Sequence, residues 1–250
     1  MNGTLYLIPN TLGQSEAQQN NLLARIIPET VQKMTAQLSY FVAENAKSTR
    51  AYLKILNHSH QLAKPMQELQ IAELNVNTAA QALDALLSPL LQGHDVGLIS
   101  EAGVPAVADP GANLVRLAHQ RHITVRPLVG PSSLLLALMA SGLNGQSFAF
   151  HGYLPTDAGM RAKRIKELEL RSAKELQTQL LIETPYRNAA MLEALATNCF
   201  PQTLICVATD LTLDTESIVT LPAADWKKRL QGNQAPDLHK KPTVFLFLAQ

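Results

Sequence analysis

The chain has 250 residues, and its 21 Lys and Arg nearly balance 20 Asp and Glu, leaving a formal net charge of +1. Apolar residues make up 46% and charged residues only 16%, which excludes a disordered chain. Near-neutrality argues against an extended nucleic-acid footprint, because each phosphate contact wants a Lys or Arg, but it leaves room for a local basic patch.

Residues 4–8 (TLYLI) predict a short buried strand closed by Pro9-Asn10. The residues before it carry no basic n-region of a signal peptide. Residues 20–33 predict a helix. Tyr40-Phe41-Val42-Ala43 predicts a second strand, and helical spacing follows through Tyr52, Leu53, Ile55 and Leu56. Residues 57–68 look like a loop. Thr78 and Gln81 have capping-box spacing and predict a helix start near Thr78. Ala82, Leu83, Leu86, Leu87 and Leu90 then share one apolar face, with a break at Pro89 and a stop at Gly93. Val96-Gly97-Leu98-Ile99 has no polar alternation and predicts a strand buried on both faces. A helix over 112–120 and a strand over 123–129 complete an α/β domain with a mostly parallel sheet.

Gly130-Pro131 marks a boundary, which divides the chain into residues 1–129 and 130–250. Ser132 or Ser133 can cap the next helix, which stops at Gly142. The apolar run 134–140 is far short of the roughly 20 residues that span a bilayer. Beyond it, five strands are predicted at 148–153, 179–182, 204–208, 217–221 and 244–248, with helices near 160–171 and 187–197. Short strands at this spacing predict a mixed sheet in a second, α+β domain. Cys199 and Cys206 are too few for a disulfide framework, and Cys206 lies in an apolar run. A soluble, reduced, cytoplasmic protein is the expectation.

Three Gly/Pro-rich turns directly follow buried strands: Pro9-Asn10, Ser100 to Pro105, and Gly130 to Ser133. In open α/β sheets ligands bind at the carboxyl ends of strands. Asp109-Pro110-Gly111 adds a type II turn signal. Neither a dinucleotide fingerprint nor a P-loop is present. Loops with little positive charge suit a cofactor without phosphate, such as a nucleoside amino acid.

Six segments carry a family resemblance in chain order. LISEAGVPAVADPGANLVRL at 98–117 resembles the S-D-A-G-T-P…D-P-G segment of the tetrapyrrole-methylase superfamily. IPNTLG at 8–13, AENAKSTR at 43–50, VGPSSLLLALMASGL at 129–143, FAFHGYLP at 148–155 and IETPYR at 182–187 resemble motifs of its branch that methylates ribose in small-subunit ribosomal RNA. The resemblance implies two unlike α/β domains. The first holds a mostly parallel five-stranded sheet and the second a mixed α+β sheet, with S-adenosylmethionine in the cleft between them, usually in a homodimer. By position, Pro9, Ala102, Gly103, Val104 and Val107 would wrap the cofactor, Ser132 and Ser133 would bond to it, and Leu154, Ala208 and Thr243 would close the cleft. Core packing is the alternative for Val104, Val107 and Ala208.

Methylating a ribose hydroxyl calls for a base, because a protonated hydroxyl is a weak nucleophile. Glu44 and Glu183 are the candidates; helix capping or an ion pair with Lys47 or Arg187 is the alternative for each. Lys47, Arg161 and Arg187 are the candidate substrate contacts. The sequence departs from the family at Asn45, where a carboxylate is lost, at Glu101, Val104 and Val129, and at Thr209 and Leu213, where basic residues are lost. RNA as partner is thereby weakened. Methylation of a small-molecule acceptor and a non-catalytic binding protein stay open. The charges Arg161, Lys163, Arg164, Lys166, Arg171 and Lys174 interleave with Glu167, Glu169 and Glu175 and read as a solvated helix face. His58-x-His60 has no supporting ligand at metal-site spacing, so no metal is expected. His151 is a candidate cleft residue. Trp226 is expected at the domain surface or a dimer contact.

Overall fold

The computed structural model describes residues 1–13, 19–75, 78–232 and 234–249. The chain divides into two units, Met1–Ser132 and Ser133–Gln250.

The first unit runs β1 (Thr4–Ile8), α1 (Gln19–Ile26), α2 (Glu29–Ala36), β2 (Tyr40–Ala43), α3 (Ala46–Ser59), β3 (Gln70–Glu73), α4 (Leu83–Leu86), α5 (Ser88–Leu91), β4 (Val96–Ile99), α6 (Ala112–Gln120) and β5 (Thr124–Pro127). The strands form one sheet in the order β3-β2-β4-β1-β5, and every neighbouring pair is parallel. Parallel neighbours need crossovers, and the helices supply them. Period-two alternation sends successive side chains to opposite cores. Ile8, Phe41 and Ile99 pack with Leu23 of α1, Ile27 just beyond it, and Leu53 and Leu56 of α3. Leu5, Val42 and Leu98 pack with Leu87 at the α4–α5 junction, Leu90 of α5 and Leu114 of α6. All four residues of β4 are buried, as its unbroken apolar pattern predicts.

Local chemistry explains where this unit departs from the sequence expectation. Pro28 splits the helix expected over 20–33 into α1 and α2. The capping box at Thr78 does not form: the Thr78 hydroxyl accepts the Asn75 N–H at 3.0 Å. A 3-10 turn at Ala80–Ala82 then leads into two short helical pieces rather than one helix. Pro89 sits in the first turn of α5, where its missing N–H costs nothing. Gly93 closes α5 with φ +90°. Edge strand β3 was not expected, because its residues are mostly exposed and show no apolar alternation.

The second unit runs α7 (Ser133–Ser141), β6 (Phe148–Tyr153), α8 (Ala158–Glu175), β7 (Thr178–Ile182), α9 (Asn188–Asn198), β8 (Leu204–Thr209), β9 (Ser217–Pro222), α10 (Ala223–Gln231) and β10 (Thr243–Leu248). Its sheet order is β6-β7-β10-β8-β9. Only β6 and β7 pair parallel; the other neighbours are antiparallel. The sheet is thus mixed. The Asp157 carboxylate caps α8 by accepting the Met160 N–H at 2.8 Å. The core packs Ile165 and Leu168 of α8 and Leu192 and Leu195 of α9 against Ile205, Phe245 and Phe247. Trp226 corrects the expectation of a surface or dimer role. It is 1% exposed in this core, and its Nε1 donates to the Ile205 carbonyl at 2.9 Å. It rides on α10, a helix the sequence pattern did not reveal. Cys199 and Cys206 are both free and buried, and burial pushes both thiols up. No helix among the described residues is long and apolar enough to cross a membrane.

Candidate active site

Strands β2 and β4 are neighbours, yet the chain leaves them toward opposite faces. Beyond β2 it enters α3, which packs in the Phe41 core; beyond β4 it enters α6, which packs in the Leu98 core. Their carboxyl ends therefore part at a topological switch point, where α/β sheets open a ligand crevice. Glu44 stands directly after β2, and Ser100 and Glu101 directly after β4. Glu44 Oε2 accepts the Glu101 N–H at 3.0 Å across that crevice. Asn10, just beyond β1, donates from Nδ2 to the carbonyls of Ser100 and Glu101 at 3.1 and 3.0 Å. Its own N–H donates to the Gly103 carbonyl at 2.8 Å. Three strand ends are thus laced together by one asparagine and one glutamate.

The segment that follows β4 is unusual in its backbone. Gly103, Ala106, Ala108 and Gly111 all have positive φ, between 64° and 131°. For the two alanines this is a strained conformation, of a kind that collects at ligand-binding segments. Val107, between them, is 48% exposed, so core packing does not explain it. Ala102 is exposed and Val104 half-buried. Ser100 is 3% exposed, and its Oγ has no hydrogen bond of ordinary geometry. It faces the Asp109 carboxyl. Burial first, then the charge of Glu44, push that carboxyl up to about 6; Ser100 acts the other way and Glu101 adds to the rise.

Two cavities flank the crevice. One, of about 320 Å³, is lined by Asn10, Thr11, Asn45, Lys47, Tyr52 and Glu101, among others. The other, of about 460 Å³, is lined by Asn75, Thr78, Asp109, Gly111 and Asn113 with apolar neighbours. Asn45 is the N-cap of α3, its Oδ1 accepting the Lys47 and Ser48 N–H groups at 2.9 and 3.3 Å. The lost carboxylate at this position thus leaves a side chain that caps equally well.

In the second unit the polar groups gather at the edge formed by the ends of β7 and β8 and the start of β10. The Glu183 side chain is fully buried, and its Oε1 accepts from Arg187 Nη2 at 2.5 Å and from the Thr184 N–H at 2.6 Å. Asn188 Nδ2 donates to the Lys241 carbonyl at 2.7 Å and to Thr243 Oγ1 at 3.2 Å. Thr243 Oγ1 also lies 3.3 Å from Thr209 Oγ1. Thr209 is buried, so the basic residue lost there has been replaced by an interior hydroxyl. Glu183 Oε2 and Asn188 Oδ1 stay buried without a partner.

The candidate residues therefore separate. In the first unit, Glu44 meets the Glu101 N–H and faces Asp109, while Asn10 holds Ser100 and Glu101. Pro9 packs where a side chain on Gly130 would collide with it, at 2.2 Å. Lys47 is exposed at the first cavity, and Ser132 ends the unit half-buried. In the second unit, Ser133 opens α7, while Leu154 and Ala208 are buried in the sheet core. Glu183 pairs with Arg187, the ion pair weighed for it from sequence, whereas Glu44 forms neither alternative. Arg161 donates from Nη1 to the Thr156 carbonyl at 3.2 Å. His151, half-buried, shares a 2.6 Å hydrogen bond with Gln179, and burial lowers its pKa. Arg164 and Arg171 pair with Glu167 and Glu175 on an exposed face of α8. No group of three or more metal-binding side chains gathers among the described residues. From sequence Asn10 and Asp109 read only as turn residues and Asn188 carried no signal; for Asp109 the usable signal was a carboxylate within the turn-rich segment after a doubly buried strand.

A five-stranded parallel unit followed by a mixed five-stranded unit, with a polar crevice at the switch point of the first, defines a two-unit α/β protein. Residues 31–226 match the family of Tetrapyrrole (Corrin/Porphyrin) Methylases, and the chain belongs to that family. It is 30% identical over 248 residues to the ribosomal RNA small subunit methyltransferase I of Xylella fastidiosa, covering 99% of this chain and 81% of that protein. The protein of the same name from Escherichia coli O157:H7 is 27% identical over 239 residues, covering 94% and 76%. In fold the chain is similar to the crystal structure of the methyltransferase CobJ, with a TM-score of 0.60 at 17% identity over 99% of this chain and 94% of that one. It is also similar to cobalt precorrin-4 methyltransferase CbiF, with a TM-score of 0.57 at 14% identity over 98% and 94%.

Proposed function

We propose that the protein is an S-adenosylmethionine-dependent methyltransferase that modifies a ribose 2′-hydroxyl of small-subunit ribosomal RNA, acting as a cytoplasmic homodimer. The observation that carries this reading is the similarity to ribosomal RNA small subunit methyltransferase I along 99% of the chain. The cofactor fits the residues present. The strained segment 102–108 offers apolar side chains at Ala102, Val104 and Val107, and the buried Ser100 hydroxyl beside it faces Asp109. Pro9, Gly103 and Ser132 of the first unit's turns would hold it. When bound, the cofactor supplies an electrophilic methyl group on a sulfonium.

The residues of the chain do the rest. Asn10 and Glu44 keep the loops beyond β1, β2 and β4 in register, so binding does not have to order them. Lys47, exposed beside the capped start of α3, would meet a phosphate of the RNA. Arg187 holds Glu183 in the second unit, and Arg161 supplies a further positive charge. Glu44 and Glu183 are the carboxylates that the family resemblance nominates to take a proton, and each also bonds a neighbouring group.

Calorimetry with S-adenosylhomocysteine, followed by transfer of labelled methyl to small-subunit RNA and intact small subunits, tests this. One micromolar site per chain and label at a ribose 2′-oxygen are expected. Binding without transfer to either substrate would overturn the RNA reading in favour of another acceptor. Absence of binding would overturn the methyltransferase reading.

A further inference from the structure

We propose that Asp109 is the residue of the β2–β4 crevice that takes up the proton leaving the methyl acceptor. The inference rests on methyl transfer to a hydroxyl as read above, and it reassigns the base from Glu44. Glu44 already spends an oxygen on the Glu101 backbone, at 3.0 Å, and so ties two strand ends together. Asp109 has no such bond to the backbone. It faces Ser100, a 3%-exposed residue whose hydroxyl finds no partner of ordinary geometry. It also lies in the wall of the 460 Å³ cavity, whose polar lining otherwise comes from Asn75, Thr78 and Asn113. No Lys, Arg or His lines that cavity, and Asp109 is its one carboxylate among the described residues. Positive φ at Ala108 and Gly111 brackets the residue and holds it in place. The charged groups that face it are Glu44 and Glu101, both acidic.

A base works best when its pKa lies near the working pH. Burial and the charge of Glu44 raise Asp109 to about 6, which leaves it ionised at neutral pH yet a stronger proton acceptor than an ordinary carboxylate. In the step, the acceptor oxygen forms its bond to the methyl carbon while the carbon–sulfur bond of the donor breaks and leaves its electron pair on sulfur. The hydroxyl proton passes to the Asp109 carboxylate and then to water.

Two measurements test this together. Carbon-13 carboxyl NMR across pH should show Asp109 titrating near 6, and Glu44→Gln should move that midpoint down by removing a like charge. In single-turnover transfer, Asp109→Asn should lose at least about 100-fold in rate while its S-adenosylhomocysteine Kd changes less than threefold. Asp109→Glu should recover part of the rate. The wild-type rate should rise about tenfold per pH unit below 6 and level off above it. A carboxyl midpoint at or below 4, or an Asp109→Asn rate and pH profile like wild type, would overturn the assignment. If the wild type binds S-adenosylhomocysteine but methylates no RNA, the acceptor class has failed instead, and the NMR midpoint alone decides whether Asp109 is the proton-holding group.

Discussion

Two sets of strand ends in this protein handle carboxylates in opposite ways. In the second unit Glu183 is fully buried and held by the Arg187 guanidinium and the Thr184 N–H. In the first unit Glu44, Glu101 and Asp109 crowd one crevice with no cation bonded to any of them among the described residues, and Asp109 responds by rising to about 6. The contrast teaches a rule about role. A carboxylate neutralised by a neighbouring cation is suited to holding structure. One raised by burial and like charge is suited to exchanging protons near neutrality.

Removing the cation from the second set should show the contrast most strongly. Arg187→Ala leaves Glu183 buried and uncompensated, and urea denaturation should show a loss of about 3 kcal/mol. The Glu183→Gln, Arg187→Ala double variant should regain much of it. An Arg187→Ala loss within 0.5 kcal/mol, roughly the scatter of neutral surface changes, would place the pair among weak surface bridges.

The first set should respond with the opposite sign. Asp109 titrates at about 6 in the folded protein against an ordinary 3.8. Its contribution to stability is therefore complete below pH 4 and is lost as pH rises through 6. Asp109→Asn removes that penalty, so the variant should exceed wild type by about 1–2 kcal/mol at pH 8, after allowance for solvent screening. The difference should vanish below pH 4. Chemical denaturation at both pH values checks it, and a destabilised variant at pH 8 would contradict it.

The smallest effect should come at Asn45, beside the same crevice. Asn45→Ala removes the cap of α3 and should cost about 1 kcal/mol, whereas Asn45→Asp should be neutral or slightly stabilising. If Asn45→Asp destabilises by as much as Ala, added negative charge near Glu44 matters more than capping.

Much of the fold could be read directly. Strand β4 announced itself because four consecutive buried residues need no polar alternation, and helix 112–120 because its apolar residues keep one face. Strand β3 gave no such signal: at the sheet edge most of its residues face water, so only pairing with β2 makes it a strand. The Thr78–Gln81 spacing misled, since a hydroxyl can accept from the N–H of Asn75 as readily as from a helix start. Trp226 misled for another reason. An indole flanked by charged residues looks exposed in sequence, but the turn of α10 that carries it faces the core.

The site was legible in its turns and not in its chemistry. Strand-end glycines and prolines mark Pro9, Gly103 and Gly130 because close backbone approach and positive φ restrict the residue type locally. Ordered motifs likewise carried the family, since they sit in those same turns. The sequence alone therefore determined which loops could meet a ligand and which two sheets would form. Tertiary structure decided the pairing of charges. Glu44 and Asp109 are 65 positions apart, and only the parallel pairing of β2 with β4 at the switch point puts them in one crevice. Proton affinity depends on burial and neighbouring charge through space, and neither quantity is written in the local order of residues.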